Sequence, residues 1–172
     1  MHDRGRFWTP APAPGREQFT ARGVTIERVS ALSQFLLSGP RRFATGCLAA
    51  IPSPVGFSGV ASGATYAVAV ARDRALIVSA KPLSLREGWD AGASTAVTVM
   101  DDAFLVLDLH GPGLVDVLSK ATTLVGSDAS PSASVTFAGF PTVAYRYQRA
   151  DVLRVHVERP LAAGLREWLR TA

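Results

Sequence analysis

The sequence of residues 94–121 is STAVTVMDDAFLVLDLHGPGLVDVLSKA, and it decides how the rest of the chain is interpreted. Apolar residues alternate with polar or small ones on both sides of Asp101-Asp102, which is the period of strands with one buried face. This alternation predicts a β-hairpin that turns at the two aspartates. Gly111-Pro112 then ends the second strand and favours a helix start, since glycine can serve as an N-cap and proline fits the first helical turn. The helix is expected to bury an apolar stripe of Leu114, Val115, Leu118 and Ala121.

The same order of features occurs earlier in the chain. Residues 35–41, FLLSGPR, match residues 107–113, LDLHGPG, in having an apolar run, a small or polar residue and a Gly-Pro corner. Both halves continue with an alternating strand, a turn at Asp73 or Asp151, a second strand and a proline-led segment. The corner glycines are 72 residues apart and the turn aspartates 78. We interpret these ordered matches as an internal repeat left by an old duplication.

Length and composition fit one domain with a full core. The chain has 172 residues, of which 48% are hydrophobic and 19% charged, within the usual range for one domain or two interlocked halves. The single cysteine, Cys47, excludes an intramolecular disulfide and is expected to be a buried thiol. We predict an α+β fold of two interlocked strand-helix-strands-helix halves, with antiparallel or mixed sheets flanked by helices. The domain should span residues 23–172, with pseudo-repeats at about 30–92 and 94–172.

Turn signals and periodicity assign the remaining elements. Pro- and Gly-rich residues 51–63 are expected to form a loop. Helices are predicted at 40–50, 82–89 and 160–170. Strands are predicted at 23–28, 31–38, 65–71, 75–79, 134–138, 141–148 and 152–158.

Residues 1–22 are predicted to form a flexible N-terminal tail rich in proline and arginine. They contain no apolar run of the length a signal peptide needs, so a cytoplasmic protein is expected. No run in the chain reaches the roughly 18 apolar residues of a membrane span. Phe7 and Trp8 are unusual in such a tail. They either pack back on the domain or dock on a partner, where aromatic residues are enriched.

The net charge of +4 and the pI of 9.8 raise the question of nucleic-acid binding. The excess comes from residues 1–42, which hold seven arginines and three acidic residues. Those arginines are spaced out and do not form the dense basic patch that phosphate binding uses. We therefore expect no nucleic acid as a partner.

Few residues offer chemistry. His110 follows Asp108 by two positions, so a strand would place both on one face, and an Asp–His couple is conceivable. It lacks an evident third member, and His110 is expected to be a capping or surface group. His156 should share a strand face with Arg154 and Glu158. No metal-ligand set or nucleotide-binding or hydrolase motif is present, so no catalytic, cofactor-binding or metal-binding residue is predicted.

Two long stretches carry a family resemblance. Residues 104–121, FLVLDLHGPGLVDVLSKA, have the strand and Gly-Pro helix of the gamma subunit of heterotetrameric sarcosine oxidase. Residues 151–169, DVLRVHVERPLAAGLREWL, resemble the strand, turn and Trp-Leu helix on which that family closes. The resemblance covers roughly residues 65–172 and, less clearly, 30–50.

The resemblance implies a fold related to the folate-binding domain of the glycine-cleavage aminomethyltransferase. It further implies a bacterial, non-catalytic subunit that helps to assemble a flavin-dependent oxidase of sarcosine or other N-methyl amines, in one-carbon metabolism. The alpha, beta and delta subunits would be its partners and would carry FAD, FMN, NAD, folate and zinc. We expect the partner interface to include Phe7, Trp8, Arg41 and Arg42. The alternatives are a stand-alone folate- or one-carbon-binding protein of the aminomethyltransferase type and, from a third class, a nucleic-acid-binding module.

Overall fold

The computed structural model describes residues 17–39, 51, 53–124 and 130–171. Within these residues the chain forms twelve strands and two α-helices. The strands are β1 (Gln18–Ala21), β2 (Val24–Val29), β3 (Ser33–Ser38), β4 (Val60–Ala61), β5 (Thr65–Ala71), β6 (Arg74–Ser79), β7 (Gly88–Asp90), β8 (Thr95–Val99), β9 (Phe104–His110), β10 (Ser134–Phe137), β11 (Phe140–Tyr147) and β12 (Arg149–Glu158). The helices are α1 (Leu114–Ala121) and α2 (Ala162–Thr171), and a 3-10 turn at Arg159–Leu161 leads into α2.

The strands form two sheets. The first has the order β1-β2-β9-β12-β11-β10, with β4 beside β11, and the second has the order β5-β6-β3-β8-β7. All pairs of named strands are antiparallel except β4 with β11. The predicted α+β class with antiparallel or mixed sheets is confirmed.

Four strands of each sheet follow the same order. The order β11-β12-β9-β2 in the first sheet corresponds to β5-β6-β3-β8 in the second. β2 belongs to the first sheet but leads directly into β3 of the second, while β8 of the second sheet leads into β9 of the first. The first sheet therefore holds β1, β2 and β4 from the N-terminal part of the chain, the second sheet holds β8 from the C-terminal part, and the two halves are interlocked.

The predicted hairpin at Asp101-Asp102 is wrong. β8 pairs with β3, where Val97 lies opposite Leu37. β9 pairs with β12 and β2, and Leu107 lies opposite Val155. The aspartate turn thus connects the two sheets. Alternation identified both strands correctly, but their partners lie far away in sequence.

The corner glycines lie against the residues that precede β8 and β2, the two strands that each cross to the other sheet. Gly39 and Gly111 have φ of +141° and +127°, in the region that favours glycine. A Cβ at Gly39 would overlap the Ser94 carbonyl oxygen just before β8, and a Cβ at Gly111 would overlap the Gly23 carbonyl oxygen just before β2. Gly39 and Gly111 therefore make equivalent close contacts in the two halves.

Helix α1 differs from its prediction in detail. It begins at Leu114 with Gly113 as the N-cap, so the Gly111-Pro112 corner precedes the helix. Val115 was expected to be buried but is 69% exposed. The helical period starting at Leu114 buries Val117 in its place, together with Leu118 and Ala121.

Two further helix predictions have opposite outcomes. The helix predicted at 82–89 is wrong, because Gly88–Asp90 forms β7 and pairs with β8, and the preceding residues form neither helix nor strand. The helix at 160–170 is confirmed as α2 with its leading 3-10 turn. Leu165 and Leu169 of α2 are buried, and Trp168 packs edge-on against Phe137 with 6.0 Å between ring centroids.

The N-terminal boundary also differs. Gln18–Ala21, which the sequence assigned to the tail, forms β1 on the edge of the first sheet, and Val60–Ala61 forms β4 within the predicted loop. The predicted helix at 40–50, including Cys47, lies outside the described residues, as do residues 1–16.

The core has three layers. One face of the first sheet packs against α1 and α2 through residues such as Ile26, Leu109 and Val155. A second cluster, which includes Tyr66 and Tyr145, fills the space between the sheets. A third lies on the other face of the second sheet. We call the face of the first sheet that is turned away from the helices its inner face, and it carries the candidate site.

Candidate functional site

A buried ion pair lies at the centre of the inner face. Asp108 of β9 and Arg154 of β12 are directly opposite each other. Arg154 donates from Nε to Oδ1 and from Nη2 to Oδ2 of Asp108, both at 2.7 Å. Its Nη1 donates to the Tyr66 hydroxyl of the second sheet at 2.8 Å. The guanidinium also lies 3.6 Å from the centroid of the Tyr147 ring. Three neighbours, Asp108, Tyr66 and Tyr147, thus hold a side chain that is only 5% exposed.

The hydrogen bonds continue from Tyr66 into the core. The hydroxyls of Tyr66 and Tyr145 are 2.9 Å apart, and the Tyr145 hydroxyl is 2.8 Å from Nε2 of His156. Nδ1 of His156 is 2.8 Å from Oε1 of Gln34. Because Gln34 and Tyr66 belong to the second sheet and the others to the first, this network ties the two sheets together.

The direction of these hydrogen bonds follows from the two ends. Arg154 can only donate, so the Tyr66 hydroxyl accepts a hydrogen bond from it and donates its own O–H to the Tyr145 hydroxyl. Tyr145 then donates to Nε2 of His156, and the Nδ1–H of His156 donates to the Gln34 carbonyl oxygen. Each of the two hydroxyls accepts one hydrogen bond and donates one, and each ring nitrogen of His156 makes one.

Burial sets the ionisation of the network. Burial, together with the nearby Arg154 charge, lowers the pKa of His156 to about 3, so the imidazole is neutral. Burial raises the pKa of Tyr145 well above its usual range and that of Tyr66 also. Burial alone would lower the pKa of Arg154, but the hydrogen bonds and charge of Asp108 outweigh it and the pKa is raised. The network therefore carries one compensated ion pair and holds its tyrosines protonated.

A cleft opens onto this ion pair from the edge of the first sheet. It has a volume of about 390 Å³ and is lined by Glu17, Gln18, Glu27, Arg28, Val29, Ser30, Asp108 and Arg154. Asp108 is 17% exposed, so its carboxylate reaches the cleft. A second groove of about 360 Å³ runs over β10 and the ends of β11 and β12, with Phe104 and Glu158 on its wall. The first cleft is the more distinctive, because charged groups form its floor.

The structure separates the residues that the sequence suggested as a couple. Asp108 binds Arg154, whereas Nε2 of His110 lies 3.7 Å from Glu27. Asp101 accepts a hydrogen bond from the Gln34 backbone, and Asp102 pairs with Arg159. The proposed interface residues Phe7, Trp8, Arg41 and Arg42 lie outside the described residues.

The network was not predicted from the sequence. A usable signal was present in β12, where Arg154 and His156 alternate with three apolar residues in a strand that turned out to be buried on both faces. Polar groups on such a strand must be hydrogen-bonded internally. Their partners Tyr66 and Gln34 are 88 and 122 residues away, and no local pattern identifies them.

The part of the chain that the structure describes contains neither a metal-ligand cluster nor a membrane-spanning helix. No group of three or more histidine, cysteine, aspartate or glutamate side chains there could hold a metal ion. No helix among those residues is long and apolar enough to cross a membrane.

Two solved structures match the fold of this chain. A chain of heterotetrameric sarcosine oxidase from Corynebacterium sp. U-96, in complex with pyrrole 2-carboxylate, has a similar fold, with a TM-score of 0.67 and 23% sequence identity. The match covers 89% of this chain and 85% of that chain. Glycine cleavage system aminomethyltransferase T from Bartonella henselae matches 87% of this chain with a TM-score of 0.54 and 14% identity. This chain spans 46% of that aminomethyltransferase. Neither a family model nor a curated protein sequence matches the chain.

These likenesses establish a relation of fold. The predicted kinship with the aminomethyltransferase fold is confirmed at that level. The match to the sarcosine oxidase chain covers nearly all of both chains, so the two are similar in length as well as in architecture.

Proposed function

We propose that this chain is a non-catalytic, gamma-type subunit of a flavin-dependent oxidase of sarcosine or related N-methyl amines. The support is the end-to-end structural match with a chain of a heterotetrameric sarcosine oxidase. The two sequence stretches that resemble the gamma subunit form β9 with α1 and β12 with α2. These four elements supply much of the core between the first sheet and the helices.

The observation that favours a structural role is the closed hydrogen-bond network between the sheets. Tyr66, Tyr145 and His156 use their hydroxyls and ring nitrogens on one another, on Arg154 and on Gln34. A catalytic base or nucleophile needs a free, correctly ionised atom within reach of a substrate. His156 is instead fully enclosed and both of its ring nitrogens are already hydrogen-bonded, so we assign it the role of positioning the two sheets.

The partners and cofactors belong to the same proposal. The alpha, beta and delta subunits would surround this chain and would carry FAD, FMN, NAD, folate and zinc. Phe7, Trp8, Arg41 and Arg42 are the residues that we assign to the partner interface, since aromatic and arginine side chains are enriched in interfaces.

Deleting this chain from its native cell tests the proposal. The oxidase should fail to assemble, and oxidation of N-methyl amines in the lysate should fall to background. Restoring the chain should restore both. An oxidase that keeps its mass and activity without this chain would contradict the proposal.

Alanine at all four interface positions should weaken co-purification of the oxidase at least tenfold, because the few interface residues that dominate binding are enriched in tryptophan and arginine, and loss of one costs about 2 kcal/mol or more. Val115→Ala is the control, since it truncates an exposed apolar side chain on α1 outside the four assigned positions. An unchanged complex with the fourfold variant would contradict the interface assignment.

The likeness to an aminomethyltransferase supports a second candidate, a stand-alone folate- or one-carbon-binding protein. Titration of the purified chain with tetrahydrofolate distinguishes the two. Saturable binding by a solitary chain would favour this second candidate, and its absence would favour the subunit.

A further inference from the structure

Two β-hairpins cross between the sheets, one from each part of the chain. In the front part, residues 1–86, β1 pairs with β2, and β2 then pairs with β9. In the rear part, residues 87–172, β7 pairs with β8, and β8 then pairs with β3. The two hairpins occupy equivalent edges, since the order β12-β9-β2-β1 corresponds to β6-β3-β8-β7. The exchange is therefore reciprocal, like that between two domain-swapped protomers, but it occurs within one chain.

Backbone ladders join the two parts. β2 pairs with β9 along residues 25–29, and β8 pairs with β3 along residues 96–99. β4 of the front part also pairs with β11 of the rear part. Separation of the parts would remove the partners of β9 and β3 along one edge each, and backbone groups left unpaired in this way are costly.

The buried network between the sheets crosses the same boundary. Gln34 and Tyr66 belong to the front part, whereas Tyr145, Arg154 and His156 belong to the rear part. The apolar side chains packed around them also come from both parts. Each part alone would therefore expose apolar surface and leave polar groups of the network without their partners.

The peptide link between the two parts runs through residues 80–87, which form neither helix nor strand. Leu83 and Leu85 pack on the outer face of the second sheet, whereas Arg86 and Glu87 are exposed. Exposed segments of this kind tolerate insertion and cleavage. Cys47 is the single cysteine of the chain, so no intramolecular disulfide joins the parts. A break between Arg86 and Glu87 would leave every ladder in place.

We propose that the front and rear parts form a self-complementing pair, which holds together without the peptide link between them. Each part supplies the edge hairpin that the sheet of the other part lacks, so neither part folds alone. The two parts therefore bind each other as separate chains. This property is additional to the proposed subunit role and does not depend on it.

Cleavage of the folded, full-length chain tests the proposal. A specific protease recognition sequence is inserted between Arg86 and Glu87, and the purified protein is cut. The cut protein should elute from a sizing column as one particle with the mass of the uncut chain. Its urea unfolding should remain one transition, and the midpoint should rise with protein concentration, because folding now requires association. The uncut insertion protein is the matched control, and its midpoint should not depend on concentration.

Separation of the two pieces in urea gives a second readout. After removal of urea, each piece alone should lack a cooperative unfolding transition, and an equal mixture of the pieces should regain it. Pieces that elute separately without urea would overturn the proposal, as would a piece that folds alone or a mixture that regains no transition. The deletion experiment in the native cell uses the uncut chain, so the two proposals can fail separately.

Discussion

At the scale of single residues, the neutral buried His156 and the tyrosines around it link the two sheets. Arg154 and His156 were visible in the sequence as polar residues in an apolar strand, and the face they share was predicted correctly from alternation. Their partners could not be predicted, because the second sheet brings them from distant parts of the chain. Buried polar groups are almost always hydrogen-bonded, but this rule does not identify which groups pair.

Replacing Tyr145 with phenylalanine should destabilise the fold by about 2–3 kcal/mol. The change leaves Nε2 of His156 and the Tyr66 hydroxyl without their partner in a fully buried site. Tyr147→Phe is the matched control, because its hydroxyl bonds only to the Gly63 carbonyl at 3.2 Å near the surface. Its cost should stay below about 1 kcal/mol. Urea unfolding measures both, and equal losses would contradict the role of the network.

His156 should make stability depend on pH in a defined window. The pKa of His156 in the folded chain is about 3, whereas an unfolded histidine has a pKa of about 6.5. Between these values the unfolded chain binds a proton that the folded chain does not, so stability is full above about pH 6.5 and falls as pH decreases. The loss from pH 7 to pH 5 should be about 2 kcal/mol.

The His156→Gln variant isolates this contribution. Glutamine keeps polar atoms in the site but does not titrate, so the difference in pH slope between the two proteins belongs to His156. Identical slopes between pH 7 and pH 5 in urea unfolding experiments would show that the histidine is not held neutral.

At the scale of elements, the Gly-Pro corners show both the strength and the limit of sequence patterns. The match between residues 35–41 and 107–113 identified equivalent corners correctly. The pattern placed the N-cap at Gly111 instead of Gly113, and Val115 in the core instead of Val117. Leu114, Leu118 and Ala121 are buried as predicted, and the fourth residue on their face is three positions after Leu114, not one. The hairpin failed for another reason: β8 and β9 have strong strand signals, but each pairs with a strand from elsewhere.

Alanine at Gly39 or Gly111 should destabilise the protein by more than about 2 kcal/mol in each case. Both residues have positive φ, and a Cβ at either would collide with a backbone carbonyl of the exchanged strand's lead-in. Gly139→Ala is the matched control, since Gly139 also has positive φ but open space around it. Its cost should be about 1 kcal/mol, and thermal unfolding compares the three. A Gly111→Ala variant as stable as the control would contradict the close approach.

At the scale of the whole molecule, the exchange of β2 and β8 is the feature that no local pattern contains. The repeat, the α+β class and most strand boundaries follow from periodicity and turn residues. The interlocking depends on which sheet each strand joins after the turn, and this is decided by burial on both faces over the whole chain. The cleft inherits that dependence, since its floor combines strands from both ends of the sequence.

The most direct test of the central proposal is a pull-down of the tagged chain from its native cell, followed by an absorption spectrum of the material that comes with it. We predict larger chains in fixed proportion to this one, with the yellow absorption of bound flavin. A solitary, colourless chain at native expression level would contradict the subunit proposal.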